Sequence, residues 1–201
     1  MRLLYLGTNP KRYQTTKTIV HQPLIQIEPI SILPKEIDSI WAGVSHILFT
    51  SPNAVHCWSQ IASFHLDEKE KIAIGIGTAD ALQQIGQSCI QAAMATQEGV
   101  IETIRKMEIS FLLWPHSLKS RPVLQEFLKE KKIPFYSFAL YQPVVQIPHP
   151  ILDLNEFDEI VFTSPSVVDA FFEIYKIVPR NIKLTAIGSV TEKYLFLNFL
   201  N

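Results

Sequence analysis

Apolar positions along the chain fall into two kinds of run: continuous blocks of four or five residues, and longer stretches in which apolar residues recur at every third or fourth position. The first kind predicts buried strands and the second amphipathic helices. "HILFT" (46–50) and "EIVFT" (159–163) are strand-length and rich in β-branched and aromatic residues. Each is followed by Ser-Pro and then by helical spacing, at Val55, Trp58 and Ile61 or at Val168, Phe171 or Phe172, and Ile174 or Tyr175. That pattern places Pro52 and Pro165 at the first helical position, with Ser51 and Ser164 as N-caps. "KIAIG" and "KLTAIG" predict a second strand in each copy, with helices from Thr78 and Thr191, the first ending at Gly86. "SCIQAAM" with "GVIETIRKM", and "FLLWP" with "PVLQEFLKEKK", are two more strand-helix pairs, and "RLLYLGTNP" is a strand ending in a turn.

Strand and helix in strict alternation predict parallel sheets in an α/β fold. The chain also repeats itself. "ILFTSPNAV" (47–55) answers "IVFTSPSVV" (160–168), and "AIGIGTADAL" (73–82) answers "AIGSVTEKYL" (186–195); both pairs are 113 positions apart. One shared offset without a gap indicates duplication into paired, similar flavodoxin- or Rossmann-like domains. The stretches 22–34 and 133–148 are proline-containing and alternate polar with apolar residues, so they predict extended strands bridging the domains. The expected division is a domain at 35–138 inserted into a discontinuous one made from 1–21 and 150–201, with 22–34 and 139–149 as connectors. The cleft between two such domains is the default ligand site.

Composition adds mainly exclusions. The chain has 201 residues, 18 basic and 19 acidic side chains and a formal net charge of -1, which argues against a general nucleic-acid or membrane-surface binder. Cys57 and Cys89 form no metal or CxxC pattern and read as buried hydrophobes, and no run approaches 18 apolar residues. A cytoplasmic monomer is expected. His21, His46, His56, His65 and His149 lack ligand spacing, so no metal is expected. Gly75-Ile-Gly77 begins a dinucleotide fingerprint, but Asp80 stands at its third glycine and the second copy breaks it. His116, Lys119 and Arg121 form either an anion-binding turn or a solvated loop.

Taken in order, "FTSPNAV", "IGIGTADAL", "ALYQPV", "FTSPSVV" and "AIGSVTEKYL" resemble the motifs of the uroporphyrinogen-III synthase family. The resemblance runs the length of the chain. It implies a cofactor-free enzyme that cyclises the linear tetrapyrrole hydroxymethylbilane to uroporphyrinogen III, with loss of water and inversion of the terminal pyrrole ring. Tyr141 in "LYQP" matches the family's connector tyrosine and becomes the candidate catalytic residue. Ser51, Asn53 and Thr78 in the first copy, with Ser164, Ser166 and Thr191 in the second, become candidate substrate-binding residues. Two departures stand out. The first turn lacks the family's Arg-Pro pair, so "LGTNPKRYQTTKTIV" offers a short helix at most, and the second copy has no counterpart of the strand and helix at 89–107.

The chemistry fits such residues. The substrate's pyrroles supply the nucleophile, and departure of its hydroxyl leaves a resonance-stabilised azafulvenium cation that the last ring attacks through a spiro intermediate. A phenol of pKa near ~10 stays protonated at neutral pH and can assist that departure. Backbone N–H groups at the helix openings after 50, 77, 163 and 190 can hold the substrate's carboxylates. Read singly, the four Ser and Thr residues are also ordinary caps, and Tyr141 an ordinary packing aromatic. The alternatives to the synthase are a non-catalytic two-lobed anion or tetrapyrrole binder and a weakened relative of the enzyme.

Overall fold

A computed structural model describes residues 1–11, 13–30, 33–62 and 64–199. Ser31 and Ile32 of the expected first connector, and the last two residues of the expected discontinuous domain, lie outside them. In chain order, β1 (Arg2–Tyr5), β2 (Thr18–His21) and β3 (Ile25–Pro29) precede a short helix α1 (Glu36–Ile40). There follow β4 (His46–Phe49), α2 (Pro52–Ile61), β5 (Glu70–Ala73), α3 (Ile76–Gln84), β6 (Ile90–Gln91) and α4 (Gln97–Ile104). Next come β7 (Leu112–Ser117), α5 (Val123–Glu130), β8 (Phe135–Val145), β9 (Glu159–Phe162), α6 (Pro165–Ile174), β10 (Lys183–Ala186) and α7 (Ser189–Phe199). Contacts divide the chain into a unit at Ile27–Gln142 and a unit made from Met1–Gln26 with Pro143–Asn201.

The unit at Ile27–Gln142 holds the sheet β3-β8-β7-β4-β5-β6, parallel from β8 through β6. From β4 the chain first builds outward through β5 and β6, then returns to the other flank for β7 and β8. The order therefore reverses between β4 and β7, which is where open α/β sheets bind ligands. Alternate residues of β4 feed two cores. Ile47 and Phe49 pack with Val55, Trp58 and Leu82 of α2 and α3, while Leu48 packs with Ile72, Val100, Ile104 and Leu124 under α4 and α5. Beside them β3 and β8 run in opposite directions, since the Ile30 N–H donates to the Leu140 carbonyl and the Gln146 N–H to the Leu24 carbonyl.

Caps set the helix starts. Ser51 Oγ accepts the Ala54 N–H at 3.1 Å and Ser164 Oγ the Val167 N–H at 3.4 Å, each followed by proline as the spacing predicts. The expected starts at Thr78 and Thr191 are corrected. Gly75 caps α3, its carbonyl accepting from both Thr78 and Ala79, and α7 begins at Ser189, so each threonine sits inside the first turn. Glycine is needed at 75 because a Cβ there would lie 2.7 Å from that of Ala95. At the far end Gly86, with φ +77°, stops α3 as expected, and the Gly86 and Gln87 N–H groups close onto the Gln83 and Leu82 carbonyls. Gly99 is tighter still, since a Cβ there would stand 2.2 Å from the Met94 carbonyl oxygen. Gly99→Ala should therefore cost about 2 kcal/mol, read as a lower denaturant midpoint.

The second unit carries a four-stranded parallel sheet in the order β10-β9-β1-β2. The short helix allowed after the first turn is absent among the described residues, and the chain crosses from β1 to β2 without one. Its two α-helices, α6 and α7, pack against each other. α6 lies on the face of Phe162, whose ring meets Phe171 at 5.1 Å. The opposite face, with Leu3, Tyr5 and Val161, is covered by Tyr13 and Ile19 in place of a helix.

Chemistry changes with that cover. Glu159, two residues before Val161 and so on the same face, is buried, and its carboxylate accepts from Lys17 Nζ and Thr185 Oγ1 and pairs with Lys183 Nζ at 3.4 Å. The residues 113 positions before Glu159, Thr185 and Lys183 are His46, Ile72 and Glu70, and Ile72 sits in the apolar cluster beneath α4 and α5. Burial raises the Glu159 pKa, but the Lys17 and Thr185 hydrogen bonds outweigh it and hold the carboxyl below its usual range. A helix cover has thus been exchanged for an ion pair that ties the crossover to the sheet.

Candidate functional site

At the strand-order reversal of the unit Ile27–Gln142, three strand ends converge. β4 runs out into Thr50 and Ser51, β7 ends in His116 and Ser117, and β8 brings Tyr141, paired with Ser117 after a register shift at His116. The Tyr141 hydroxyl lies 2.7 Å from Ser51 Oγ, and Ser117 is its cross-strand neighbour on β7. Tyr141 is only 6% exposed. Burial pushes its phenol above the ordinary value of 10, against the pull of the neighbouring Ser51 and Ser117 hydroxyls and with a small push from Cys57, so the hydroxyl keeps its proton at neutral pH. Beside it, Trp114 Nε1–H donates to Thr50 Oγ1 at 3.2 Å, and its ring meets that of His116 at 4.7 Å, tilted by 49°. His116 Nδ1–H donates to the Ser117 carbonyl at 2.8 Å, which fixes the tautomer with Nε2 as acceptor. Burial lowers the His116 pKa, so the ring is neutral at pH 7.

Asn53 and Thr78 sit on the same rim. Asn53 is half-buried in the first turn of α2, where Pro52 has no N–H and the Ala54 N–H is taken by Ser51. Thr78 is buried in the first turn of α3, below Ile76 and Gly77. Three apolar residues that the sequence reading passed over complete this edge: Ile76, Met94 and Leu118, exposed by 64%, 46% and 60% at the ends of β5, β6 and β7. Their signal was a large apolar residue in a strand-to-helix turn, where polar residues are usual.

The His116, Lys119 and Arg121 turn does not gather as an anion cluster. Arg121 forms a forked pair with Glu98 at 2.9 and 3.1 Å, and the Arg121 guanidinium holds the Glu98 carboxyl at about 2. With Arg121 so engaged and His116 neutral, two of the three side chains offer an anion no free charge. Cys57 and Cys89 are both raised in pKa by burial, which suits packing and not thiolate chemistry. Among the described residues, no group of three or more His, Cys, Asp and Glu is placed to hold a metal, and no helix is long and apolar enough to cross a membrane.

Ser164, Ser166 and Thr191 lie on the corresponding rim of the other unit, at the starts of α6 and α7. Ser164 caps α6, Ser166 is half-buried beside it, and Thr191 is buried. Here the strand order reverses between β1 and β9, and the two ends come so close that a Cβ on Gly7 would lie 2.4 Å from the Thr163 side chain. No tyrosine hydroxyl meets Ser164 among the described residues.

A family model described as uroporphyrinogen-III synthase HemD matches residues 13–199. Among solved structures, a mutant uroporphyrinogen III synthase from the extremely thermophilic bacterium Thermus thermophilus is similar at 20% identity and a TM-score of 0.62, over 96% of this chain and 87% of that one. The uroporphyrinogen-III synthetase of Helicobacter pylori is similar at 20% identity and a TM-score of 0.65, over 97% and 88%. No curated protein sequence matches the chain.

Proposed function

The chain belongs to the uroporphyrinogen-III synthase family, and we propose that it closes hydroxymethylbilane into uroporphyrinogen III, inverting the terminal pyrrole ring and releasing water. The observation that carries this reading is the Tyr141 hydroxyl, proton-bearing and held 2.7 Å from Ser51 Oγ at the strand-order reversal. As the hydroxymethyl C–O bond breaks, Tyr141 gives a hydrogen bond or proton to the departing oxygen, which leaves as water. The last pyrrole ring then attacks the azafulvenium carbon, the spiro intermediate fragments, and the ring closes in the inverted sense with loss of a proton. No covalent nucleophile is needed. Holding the chain ends within reach is worth up to ~7 to 11 kcal/mol in favourable cases.

Substrate binding calls for apolar contact with pyrroles and hydrogen-bond donors for carboxylates. Ile76, Met94 and Leu118 supply the first on the rim around Tyr141. The N–H groups of Asn53, Ile76 and Gly77 at the starts of α2 and α3, and of Ser166 at the start of α6, supply the second. A near-neutral protein can hold a polyanion in this way. Spontaneous closure gives the non-inverted type I isomer, so the isomer ratio reads the activity directly. Purified protein supplied with enzymically generated hydroxymethylbilane, with no added cofactor or metal, should give mainly the type III isomer. Type I product alone, from protein shown to be folded, overturns the enzyme reading and leaves a binding role.

A further inference from the structure

Ser51 makes two hydrogen bonds with one hydroxyl. Its oxygen accepts the Ala54 N–H at 3.1 Å, as the cap of α2, and lies 2.7 Å from the Tyr141 hydroxyl. The cap contact fixes the side chain's direction and commits one lone pair. The Ala54 N–H belongs to the positive end of a ten-residue helix, so it polarises the Ser51 O–H away from the helix, toward Tyr141. With the Ser51 hydrogen directed at the phenol oxygen, the tyrosine's own hydrogen is released from the pair and is available to a ligand. Negative charge developing on that oxygen then meets a donor whose own oxygen is held by the helix terminus.

We propose that Ser51 is a positioning residue for Tyr141, donating its hydroxyl hydrogen to the phenol oxygen and so linking the charge that Tyr141 develops to the N-terminus of α2. This rests on the synthase reading for its catalytic consequence, but not for the link itself. The duplicated copy supplies a contrast within the same chain, since Ser164 caps α6 with a longer bond of 3.4 Å and meets no tyrosine among the described residues. A serine needed only as a cap would do without the second bond. Around the phenol, Ser51 on the β4 side, Ser117 on β7 and Cys57 on α2 are the groups that act on its titration, and the one ionisable group among them, Cys57, has its pKa raised by burial.

The test uses the full chain with its tyrosines replaced by 3-fluorotyrosine, which brings the phenol titration within the folded range. The Tyr141 fluorine signal is assigned by its loss in Tyr141→Phe. Ser51→Ala should move the Tyr141 midpoint upward by at least about threefold in proton affinity, and Ser51→Thr, which keeps hydroxyl and cap, should restore it. In the isomer assay Ser51→Ala should lose about tenfold in rate, Ser51→Thr should recover to within about threefold, and Ser51→Ala should add almost nothing in a Tyr141→Phe background. A midpoint unmoved by Ser51→Ala, or an Ala cost equally large in the Phe background, overturns the link. A parent that makes only type I product sinks the synthase reading instead, and the fluorine titration still decides the Ser51 contact.

Discussion

Replacing Tyr141 by phenylalanine should lower the rate of type III formation by more than about tenfold, the scale of 1.4 kcal/mol on the barrier, with the fold retained. The ring stays where it is, among Leu140, Phe138 and the residues of α2 in the apolar cluster. Only the hydroxyl goes, and with it the bond to Ser51. Losing that hydrogen bonding should cost stability about 1 kcal/mol, small against the whole. Ser51 keeps its Ala54 contact, so α2 keeps its cap. The catalytic loss should thus be out of proportion to the thermal shift, and comparing the two measurements separates a donor from a packing aromatic. Thr78→Val and Thr191→Val should cost the rate less, because both side chains are buried inside first turns whose backbone donors remain. A Tyr141→Phe enzyme within twofold of the parent removes this tyrosine from the mechanism.

How much of this could be read from the chain follows from what kind of signal each feature leaves. The strands and caps around Ser51 and Ser164 were legible because Ser-Pro after an apolar block has one low-energy reading. The cap of α3 at Gly75 was not, because glycine there is chosen by the close approach of Ala95, a contact distant in sequence. Tyr141 was found through a short motif, but its partner Ser117 was hidden behind a register shift between β7 and β8 that leaves no mark in local pattern. Glu159 was hidden in a different way. In "EIVFT" a leading glutamate reads as a solvated strand end, and only the sheet brings Lys17 and Thr185 to it. For Arg121 the pattern left an anion-binding turn and a solvated loop both open, because its partner Glu98 stands 23 positions earlier.

The two copies should also differ in native-state hydrogen exchange, with protection at 160–163 and 184–187 at least about tenfold below that at the matching 47–50 and 71–74. The reason is cover. β4 and β5 lie between helix layers on both faces and β5 is flanked by β6, whose neighbour Ala92 donates to the Ala73 carbonyl at 2.9 Å. β10 has β9 on one side and no strand on the other among the described residues. The Lys183 and Ile187 N–H groups donate to the Asp158 and Phe162 carbonyls. Alternation along the parallel ladder therefore turns the Leu184 and Ala186 N–H groups outward, and these two amides should exchange fastest of all. Acid should widen the gap in β9 and β10. Because the Glu159 pKa is depressed in the fold, its contribution is complete above the usual carboxylate range and is lost as pH falls through its folded value. Protection factors, which remove the intrinsic pH dependence of exchange, should drop there in the parent and lose that acid step in Glu159→Gln. Equal protection of the two copies at neutral pH, with Leu184 and Ala186 as slow as Lys71 and Ala73, would mean that another segment or a second chain covers the β10 edge in solution. The ion pair at Glu159 would then not be what holds that sheet together.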